Sequence, residues 1–203
     1  MSKQFSRYGI LFVISAPSGA GKTTLVDALR QTSEFVYSVS CTTRSPRTGE
    51  IDGEDYRFLS EADFLAEVKA GGFLEHAKVH GHFYGTRLEP VVANLKDGVD
   101  VLIDIDTQGA ASIRNCDDPF IREAFTDVFI MPPDLDELRR RLTKRGTESS
   151  EQIESRLATA SREIQLWRDY RYTIISRSVE DDLQKFRHIV GAERYLSRRL
   201  IQK

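Results

Sequence analysis

The stretch Ile10-Leu-Phe-Val-Ile-Ser-Ala-Pro-Ser-Gly-Ala-Gly-Lys22-Thr-Thr24 decides the fold of this chain. Its first five residues are apolar and predict a buried strand, and the pattern Leu25-Val-Asp-Ala-Leu29 that follows predicts a helix. Between them, Gly19 and Gly21 allow backbone N–H groups to turn toward an anion, and the helix N-terminus adds the positive end of its dipole. This order, with Gly-x-Gly-Lys-Thr, predicts a P-loop that binds the phosphates of a nucleoside triphosphate.

The expected contacts with the triphosphate come from the whole loop: Ala16, Pro17, Ser18, Gly19, Ala20, Gly21, Lys22, Thr23 and Thr24. Lys22 is expected to reach the β and γ phosphates, and the Thr23 hydroxyl to bind Mg²⁺. Ala16 stands where the usual pattern has its first glycine, so we expect ordinary backbone angles at the loop entrance. An ordinary tight turn is the alternative interpretation.

Composition narrows the class of protein. The chain has 203 residues, 30% of them charged, with a formal net charge of −2. This charge gives no general attraction to nucleic acid or to an anionic membrane. Cys41 and Cys116 are too few for a disulfide framework, and the chain shows no signal-peptide core or membrane-length apolar run. We therefore expect a cytoplasmic protein with neither nucleic-acid nor membrane partners, and the pattern leaves monomer or homodimer open.

Apolar runs alternate with helical patterns along most of the chain. The runs lie at 10–14, 99–105, 128–131 and 172–175, and the helical patterns at 22–31, 107–115, 134–145, 150–170 and 179–199. This alternation predicts an α/β fold of three layers with a central parallel sheet. The region 40–90 departs from it and predicts a small, partly antiparallel insert, while the polar link at 144–152 is typical of a mobile cover.

The insert carries groups suited to a phosphate. Arg44 and Arg47 flank Pro46 and are able to clamp a phosphate with charge-assisted bonds. Tyr56 and Tyr84 each offer a phenolic donor to the same phosphate. Solvated loop charges and half-buried packing residues are the alternative interpretations of these four side chains.

The chain closely resembles guanylate kinases of the bacterial type. The matching stretches are Ser-Ala-Pro-Ser-Gly-Ala-Gly-Lys-Thr, Ser-x-Thr-Thr-Arg-x-Pro-Arg-x-Gly-Glu-x-x-Gly-x-x-Tyr, Phe-Leu-Glu-His-Ala, Tyr-Gly-Thr and Asp-Ile-Asp-x-Gln-Gly, within residues 8–198. The resemblance implies a P-loop core at 1–39 and 91–203, a mixed α/β insert at 40–90 that binds the nucleoside monophosphate, and a helical lid at 144–156. It also implies transfer of the γ-phosphoryl group from MgATP to GMP, with dGMP as a further acceptor.

The resemblance assigns the acceptor site residue by residue. The residues implied at the GMP phosphate are Arg44, Arg47, Tyr56 and Tyr84, and those implied at the guanine are Ser40, Glu75, Thr86 and Asp106. Guanine presents N1–H and N2–H₂ as neighbouring donors, so a carboxylate at position 75 accepts from both. Adenine has an acceptor at N1, and a site built on such pairing rejects the wrong base. The alternative is a strand glutamate that faces water.

Two aspartates end the apolar run at 99–105. Asp104 is expected near both GMP and the metal, the latter through water, because strand ends of α/β sheets face the ligand crevice. Asp106 is expected either at the guanine or as the N-cap of the helix beginning near Thr107, and one carboxylate is able to serve both purposes.

Arginines in the 139–156 region match the lid of the family. Arg141 and Arg145 are implied at ATP, and Arg156 at GMP. Phosphoryl transfer requires neutralisation of the negative charge on the equatorial oxygens of the transferred group. The expected catalytic residues are therefore Lys22, Arg44, Arg145 and Arg156. The alternative is a solvated helix end, in which Arg139 and Arg140 pair with Asp136 and Glu137.

One position departs from the family pattern. The family commonly has Val-Asn-Asp where this chain has Ile-Ser176-Arg, so Ser176 is expected at the adenine with a single hydroxyl instead of an amide. His76, His80 and His82 share one side of a predicted strand, but their surroundings fit zinc poorly.

Two further functions are compatible with parts of the pattern. A catalytically inactive, guanylate-kinase-like protein-binding module usually lacks an intact P-loop, which this chain has. A P-loop kinase for another small phosphate acceptor does not explain Glu75 together with Thr-Thr-Arg-x-Pro-Arg. A GTPase is disfavoured because the Asn-Lys-x-Asp signature is absent from the sequence.

Overall fold

The computed structural model describes residues 5–79, 81–145 and 149–202, except for the side chain of Arg145. Its strands are β1 (Phe5–Arg7), β2 (Leu11–Ser15), β3 (Val36–Tyr37), β4 (Cys41–Thr42), β5 (Arg57–Phe58), β6 (Phe73–Val79), β7 (His82–Arg87), β8 (Val101–Asp104), β9 (Phe125–Met131), β10 (Tyr172–Ile175) and β11 (Leu200–Gln202). Its helices are α1 (Lys22–Arg30), α2 (Glu61–Lys69), α3 (Leu88–Lys96), α4 (Thr107–Arg114), α5 (Pro119–Ala124), α6 (Leu135–Arg145), α7 (Ser150–Ile164) and α8 (Val179–Arg194). Short 3₁₀ helices follow at Gln165–Asp169 and Ser197–Arg199.

The central sheet joins strands from distant parts of the chain. Its order is β10-β9-β2-β8-β3, and every pair in it is parallel. All residues of β2 are buried, as expected for a strand covered on both faces. Because the strands are parallel, the loops after β2 and β8 leave the same edge of the sheet, where ligands bind in such folds.

Alternating side chains of β2 feed two hydrophobic clusters on opposite faces of the sheet. Leu11 and Val13 pack with α3, α4 and α5, while Phe12 and Ile14 pack with α1 and α8. Phe12 also contacts Phe186 of α8 edge to face, with ring centroids 5.7 Å apart. This arrangement confirms the predicted three-layer α/β fold with a central parallel sheet.

The insert has a mixed sheet of its own, in the order β5-β4-β7-β6. β6 and β7 pair antiparallel, and a register shift lies between Phe73 and Glu75. Phe64 of α2 is fully buried, with its ring 4.5 Å from that of Phe73 and 5.4 Å from that of Phe83. These rings give the insert a core separate from that of the central sheet.

Several element boundaries differ from the sequence prediction. The strand predicted at 99–105 spans only Val101–Asp104, and the carboxylate of Asp100, just before it, accepts the backbone N–H of Ile10 at 2.9 Å. The helices predicted at 150–170 and 179–199 end at residues 164 and 194. Strands β1 and β11, which pair antiparallel, and helices α2, α3 and α5 were not predicted.

Among the residues that the structure describes, no group of three or more histidine, cysteine, aspartate or glutamate side chains is placed to hold a metal ion. Cys41 is buried and Cys116 partly exposed, and both thiols are free. His76 and His82 are exposed, and His80 lies outside the described residues. None of the helices described is both long and apolar enough to cross a membrane.

Candidate active site

The predicted phosphate-binding loop lies between β2 and α1. Gly19 and Gly21 adopt φ angles of 86° and 104°, which favour glycine, and Gly21 is the N-cap of α1. Gly19 also sits against α6, because a Cβ there would meet Leu142 Cδ2 at 2.7 Å. The loop conformation thus depends both on backbone freedom and on close packing with α6.

Lys22 is the first residue of α1 and contacts the end of β8. Its Nζ forms an ion pair with Asp104 and donates to the carbonyl oxygen of Ile105 at 3.2 Å. The parallel register Ile14↔Asp104 brings these groups together, since it aligns the ends of β2 and β8. Thr23 and Thr24 are exposed in the first turn of α1.

A cavity of about 170 Å³ opens between this edge of the sheet and the insert. Its walls are formed by Lys22, Ser40, Tyr56, Glu75, Ala77, Val79, Tyr84, Gly85, Asp104, Ile105 and Asp106. The loop lysine and predicted guanine and phosphate contacts from the insert therefore line one shared space.

Glu75 of β6 is the buried carboxylate of this cavity, with 6% of its surface exposed. Thr86 Oγ1, from the paired position of β7, donates to Glu75 Oε1 at 2.7 Å. Burial raises the pKa of Glu75 to about 7, against the lowering effect of the Thr86 bond, and the charge of Asp106 adds to the rise. Glu75 therefore does not face water, contrary to the alternative interpretation of the strand.

The start of α4 closes the cavity next to Glu75. Asp106 Oδ1 accepts the N–H of Gly109 at 2.8 Å, so Asp106 is the N-cap that the sequence suggested. A Cβ at Gly109 would lie 2.7 Å from Glu75 Oε2, so only glycine leaves the carboxylate this much room. Thr86 is fully buried and faces Glu75, so its hydroxyl orients the carboxylate.

Arg44 is held beside the two tyrosines of the cavity. Its guanidinium lies 5.3 Å from the ring centroid of Tyr56, and the Tyr56 and Tyr84 rings are 6.1 Å apart. Glu50 accepts both Arg44 NH1 and NH2, at 2.9 and 2.8 Å, and its Oε2 accepts the backbone N–H of Arg47 at 2.7 Å. The bonds from Arg44 and from the Arg47 backbone hold the pKa of Glu50 below its usual range. The Arg47 side chain is exposed.

Arginines of α6 and α7 contact the other side of the loop. Arg141 NH1 donates to Ala20 O at 2.8 Å, and its NH2 donates to Ser176 O at 3.1 Å. Arg156 Nε donates to Ser18 Oγ at 3.0 Å. Arg145 belongs to α6, but its side chain lies outside the part of the chain that the structure describes.

The pairing suggested for Arg139 is wrong. Arg139 bonds Glu154 of α7, whereas Glu137 accepts from both Arg140 and Arg141. Helices α6 and α7 pack against each other through Leu138, Leu142, Leu157 and Ala160. This packing brings Arg139 of α6 next to Glu154 of α7, so its side chain is only partly surrounded by solvent.

A second cavity, of about 680 Å³, lies on the far side of the loop. Its lining includes Gly19, Gly21, Thr24, Leu25, Glu137, Arg140, Arg141, Lys144, Ser176, Arg177, Ser178, Val179, Glu180 and Asp182. Ser176 is buried, and its hydroxyl accepts from Arg141 at 3.2 Å. The phosphate-binding loop thus stands between two cavities, each large enough to hold part of a nucleotide.

A family model described as guanylate kinase matches residues 8–193. The chain belongs to the guanylate kinase family.

Relatives within this family cover most of the chain. A guanylate kinase of Deinococcus radiodurans is 45% identical over 92% of this chain and 76% of its own length. One of Novosphingobium aromaticivorans is 46% identical over 93% of this chain and 84% of its own. The crystal structure of guanylate kinase from Anaplasma phagocytophilum superposes with a TM-score of 0.80 at 34% identity, covering 98% of this chain and 93% of that one.

Some site residues escaped the sequence analysis, although a signal was present for all of them except Glu163. Glu50 and Gly109 lie inside the stretches that resemble the guanylate kinase family, yet neither was given a role. Glu137 was noticed only as a partner of surface arginines. Glu163, whose Oε2 accepts the N–H of Ser18 at 3.3 Å, carries no local sequence signal because its partner is 145 positions away.

Proposed function

We propose that this protein is a guanylate kinase that transfers the γ-phosphoryl group of MgATP to GMP, giving ADP and GDP. One observation carries the proposal: Lys22 of the phosphate-binding loop and Glu75, Tyr56 and Tyr84 of the insert line the same cavity. A donor phosphate held at the loop and an acceptor phosphate held at the insert are then neighbours, as direct transfer requires.

On the acceptor side, Glu75 recognises the guanine. Its carboxylate accepts from N1–H and N2–H₂, while Ser40 and Asp106 lie in the same cavity for the remaining polar atoms. Thr86 supports Glu75 from behind, and dGMP fits equally because these contacts are to the base. The GMP phosphate is bound by Arg44, Arg47, Tyr56 and Tyr84, and Glu50 keeps the arginine loop in place.

On the donor side, residues 16–24 bind the phosphates and the larger cavity takes the adenosine. Arg141 bridges the loop and Ser176, so it links the phosphate site to the base site. The oxygen donors Thr23 and Asp104 suit Mg²⁺, which prefers hydroxyl and carboxylate oxygens and retains several waters. Bound there, Mg²⁺ would supply positive charge that offsets the negative charge of the triphosphate.

The transfer itself needs charge neutralisation instead of a side-chain base. An oxygen of the GMP phosphate, already an anion, attacks the γ-phosphorus, and the bond to the β-phosphate oxygen of ADP breaks. Lys22, Arg44, Arg145 and Arg156 stabilise the charge on the oxygens of the transferred phosphoryl group.

We assign the core to 1–39 and 91–203, the GMP-binding insert to 40–90 and the lid to 144–156. The lid segment carries both Arg145 and Arg156, and its closure would expel water.

We place the reaction in the cytoplasm, which the two free thiols support. The inactive-module alternative is not favoured, because Lys22 and the glycine geometry of the loop are intact. A kinase for a different acceptor is not favoured either, because among the common bases guanine alone offers two neighbouring N–H donors to a buried carboxylate such as Glu75.

The test is to offer GMP, dGMP, AMP, UMP and CMP separately with MgATP and to measure diphosphate formation. We expect product only from GMP and dGMP. Lys22→Ala should abolish turnover while leaving GMP binding, measured by calorimetry, within about threefold of the parent. Diphosphate from AMP at a similar rate, or unchanged turnover of the lysine variant, would refute the proposal.

A further inference from the structure

Ser18 of the phosphate-binding loop is held by two side chains of α7. Arg156 Nε donates to its hydroxyl at 3.0 Å, and its backbone N–H donates to Glu163 Oε2 at 3.3 Å. Arg156 and Glu163 are seven residues apart, two helical turns, so they lie on one face of α7. The helix that follows the lid region is therefore attached directly to the loop.

Glu163 places a carboxylate beside a loop whose purpose is to bind anions. It is half-buried, and burial raises its pKa; the Ser18 bond and the charge of Lys22 act in the opposite sense, while Asp106 adds to the rise. The carboxylate accepts a backbone N–H of the loop, the kind of donor that also binds phosphate. Once a triphosphate is bound, its phosphates bring like charge to the same loop.

We propose that Glu163 is a positioning residue: its carboxylate ties α7 to Ser18 while the loop is empty, and the phosphates of the incoming triphosphate displace it. This rests on the proposed function for the identity of the ligand. Displacement frees α7 from the backbone of Ser18, so Arg156, on the same face, can turn from the Ser18 hydroxyl toward the phosphates. Binding of the donor thereby prepares the arginine that the reaction needs.

Displacement of Glu163 by the phosphates has a consequence for the affinity of the triphosphate. Part of the free energy of triphosphate binding is used to expel a like charge, so the measured affinity is lower than the loop alone would provide. Removing the charge at position 163 should therefore tighten binding. A role confined to holding the fold together predicts the opposite.

The first experiment measures ATP binding by calorimetry without GMP. Glu163→Gln and Glu163→Ala should each bind ATP about tenfold more tightly than the parent, the order expected for removing one like charge near the phosphates in a partly screened site. The control is Glu123→Gln, an exposed glutamate of α5 that lines neither nucleotide cavity, which should bind as the parent does. Unchanged or weaker binding by both position-163 variants would overturn the proposal.

The second experiment follows α7 itself through Trp167, the single tryptophan of the chain. It lies in the 3₁₀ helix directly after α7 and is 37% exposed. ATP should change its fluorescence in the parent. In Glu163→Gln the amide oxygen still accepts from Ser18 but is not repelled, so the change should be at most half as large and kcat should fall. A change of full size in that variant would show that α7 moves independently of Glu163.

These outcomes are distinguishable from failure of the proposed function. A parent protein that binds ATP and phosphorylates no GMP would refute the function, whereas the calorimetric comparison, made without GMP, would still stand. Normal phosphorylation of GMP combined with variants of parental ATP affinity would refute the Glu163 proposal alone.

Discussion

The proposed selectivity for the acceptor base depends on Glu75, whose carboxylate is buried and receives one side-chain bond, from Thr86. We expect Glu75→Gln to lower kcat/KM for GMP by a hundredfold or more, because the amide offers one acceptor where guanine presents two donors and sets an N–H₂ group against them. The KM for ATP should change by less than about twofold, since Glu75 does not line the larger cavity. Steady-state kinetics with each substrate varied measure both.

The matched control is Glu61→Gln, which neutralises an exposed glutamate at the start of α2 in the same insert. This variant should resemble the parent with both substrates. Equal losses toward GMP and ATP in Glu75→Gln would point to general damage and would count against recognition of the base.

The raised pKa of Glu75, about 7, should give the proposed recognition of GMP a distinct pH dependence. The guanine donors require the ionised carboxylate, so kcat/KM for GMP should fall as the pH drops through about 7, by up to tenfold per unit. The phosphate of GMP also titrates near pH 6. The profile of Glu75→Gln should therefore keep a break near 6 and lose the one near 7. Identical profiles for the two proteins would rule out Glu75 as the titrating group.

Helix α4 approaches β6 closely because residue 109 has no side chain. We expect Gly109→Ala to cost about 1–3 kcal/mol of the free energy of unfolding and to weaken GMP binding, since its Cβ would meet Glu75 Oε2 at 2.7 Å. The control is Gly191→Ala in α8, where a Cβ would meet nothing within 4 Å. That variant should gain up to about 1 kcal/mol from helix propensity and bind GMP normally. Denaturant unfolding and calorimetry measure both effects, and equal behaviour of the two variants would contradict the close approach.

Several unpredicted helices do begin with recognisable signals. Asp118 caps α5 immediately before a proline, and Ser60 caps α2 through Asp63 N at 3.1 Å. Capping residues of this kind can be found from the sequence. The strands β3, β4 and β5 have only two residues each, which is too short for an alternation of apolar and polar residues to be recognised in the sequence. They form because neighbouring strands supply their hydrogen bonds.

A buried ionic network joins the segment before β11, the last strand, to the central sheet. Arg199 NH2 donates to Glu193 Oε2 at 2.6 Å and to Thr126 Oγ1 at 2.8 Å, and Tyr172 donates to Glu193 Oε1 at 2.8 Å. Thr126 Oγ1 also donates to Glu193 Oε2, at 3.0 Å. Burial alone would raise the pKa of Glu193, yet the bonds that its carboxylate accepts from Arg199, Tyr172 and Thr126 hold the pKa below its usual value. The network connects β9, β10 and α8 to the end of the chain, at a distance in sequence that no local pattern indicates.

We expect Arg199→Ala to lower the free energy of unfolding by about 1.5–3 kcal/mol, because it removes a buried charged partner of Glu193 while Arg171 stays paired with the same carboxylate at 2.7 Å. Arg198→Ala is the control: that side chain is half exposed, 3.8 Å from Glu123, and its loss should cost less than about 1 kcal/mol. Below the unfolding transition both variants should keep parental constants for GMP and ATP, because neither residue lines a site cavity. Equal destabilisation by the two substitutions would show that the buried network adds nothing.

The sequence by itself determined the loop, the parallel sheet and the family, because glycine spacing, apolar runs and short motifs act over a few neighbouring residues. It also indicated Glu75, Asp106 and the insert that we propose carries the acceptor contacts. Only the tertiary structure decided that Thr86 faces Glu75, that Glu50 holds Arg44 and that Glu163 contacts Ser18. Each of these contacts forms only when folding brings a distant or folded-back segment within hydrogen-bonding distance. Such proximity is a result of tertiary packing, and the local sequence pattern does not encode it.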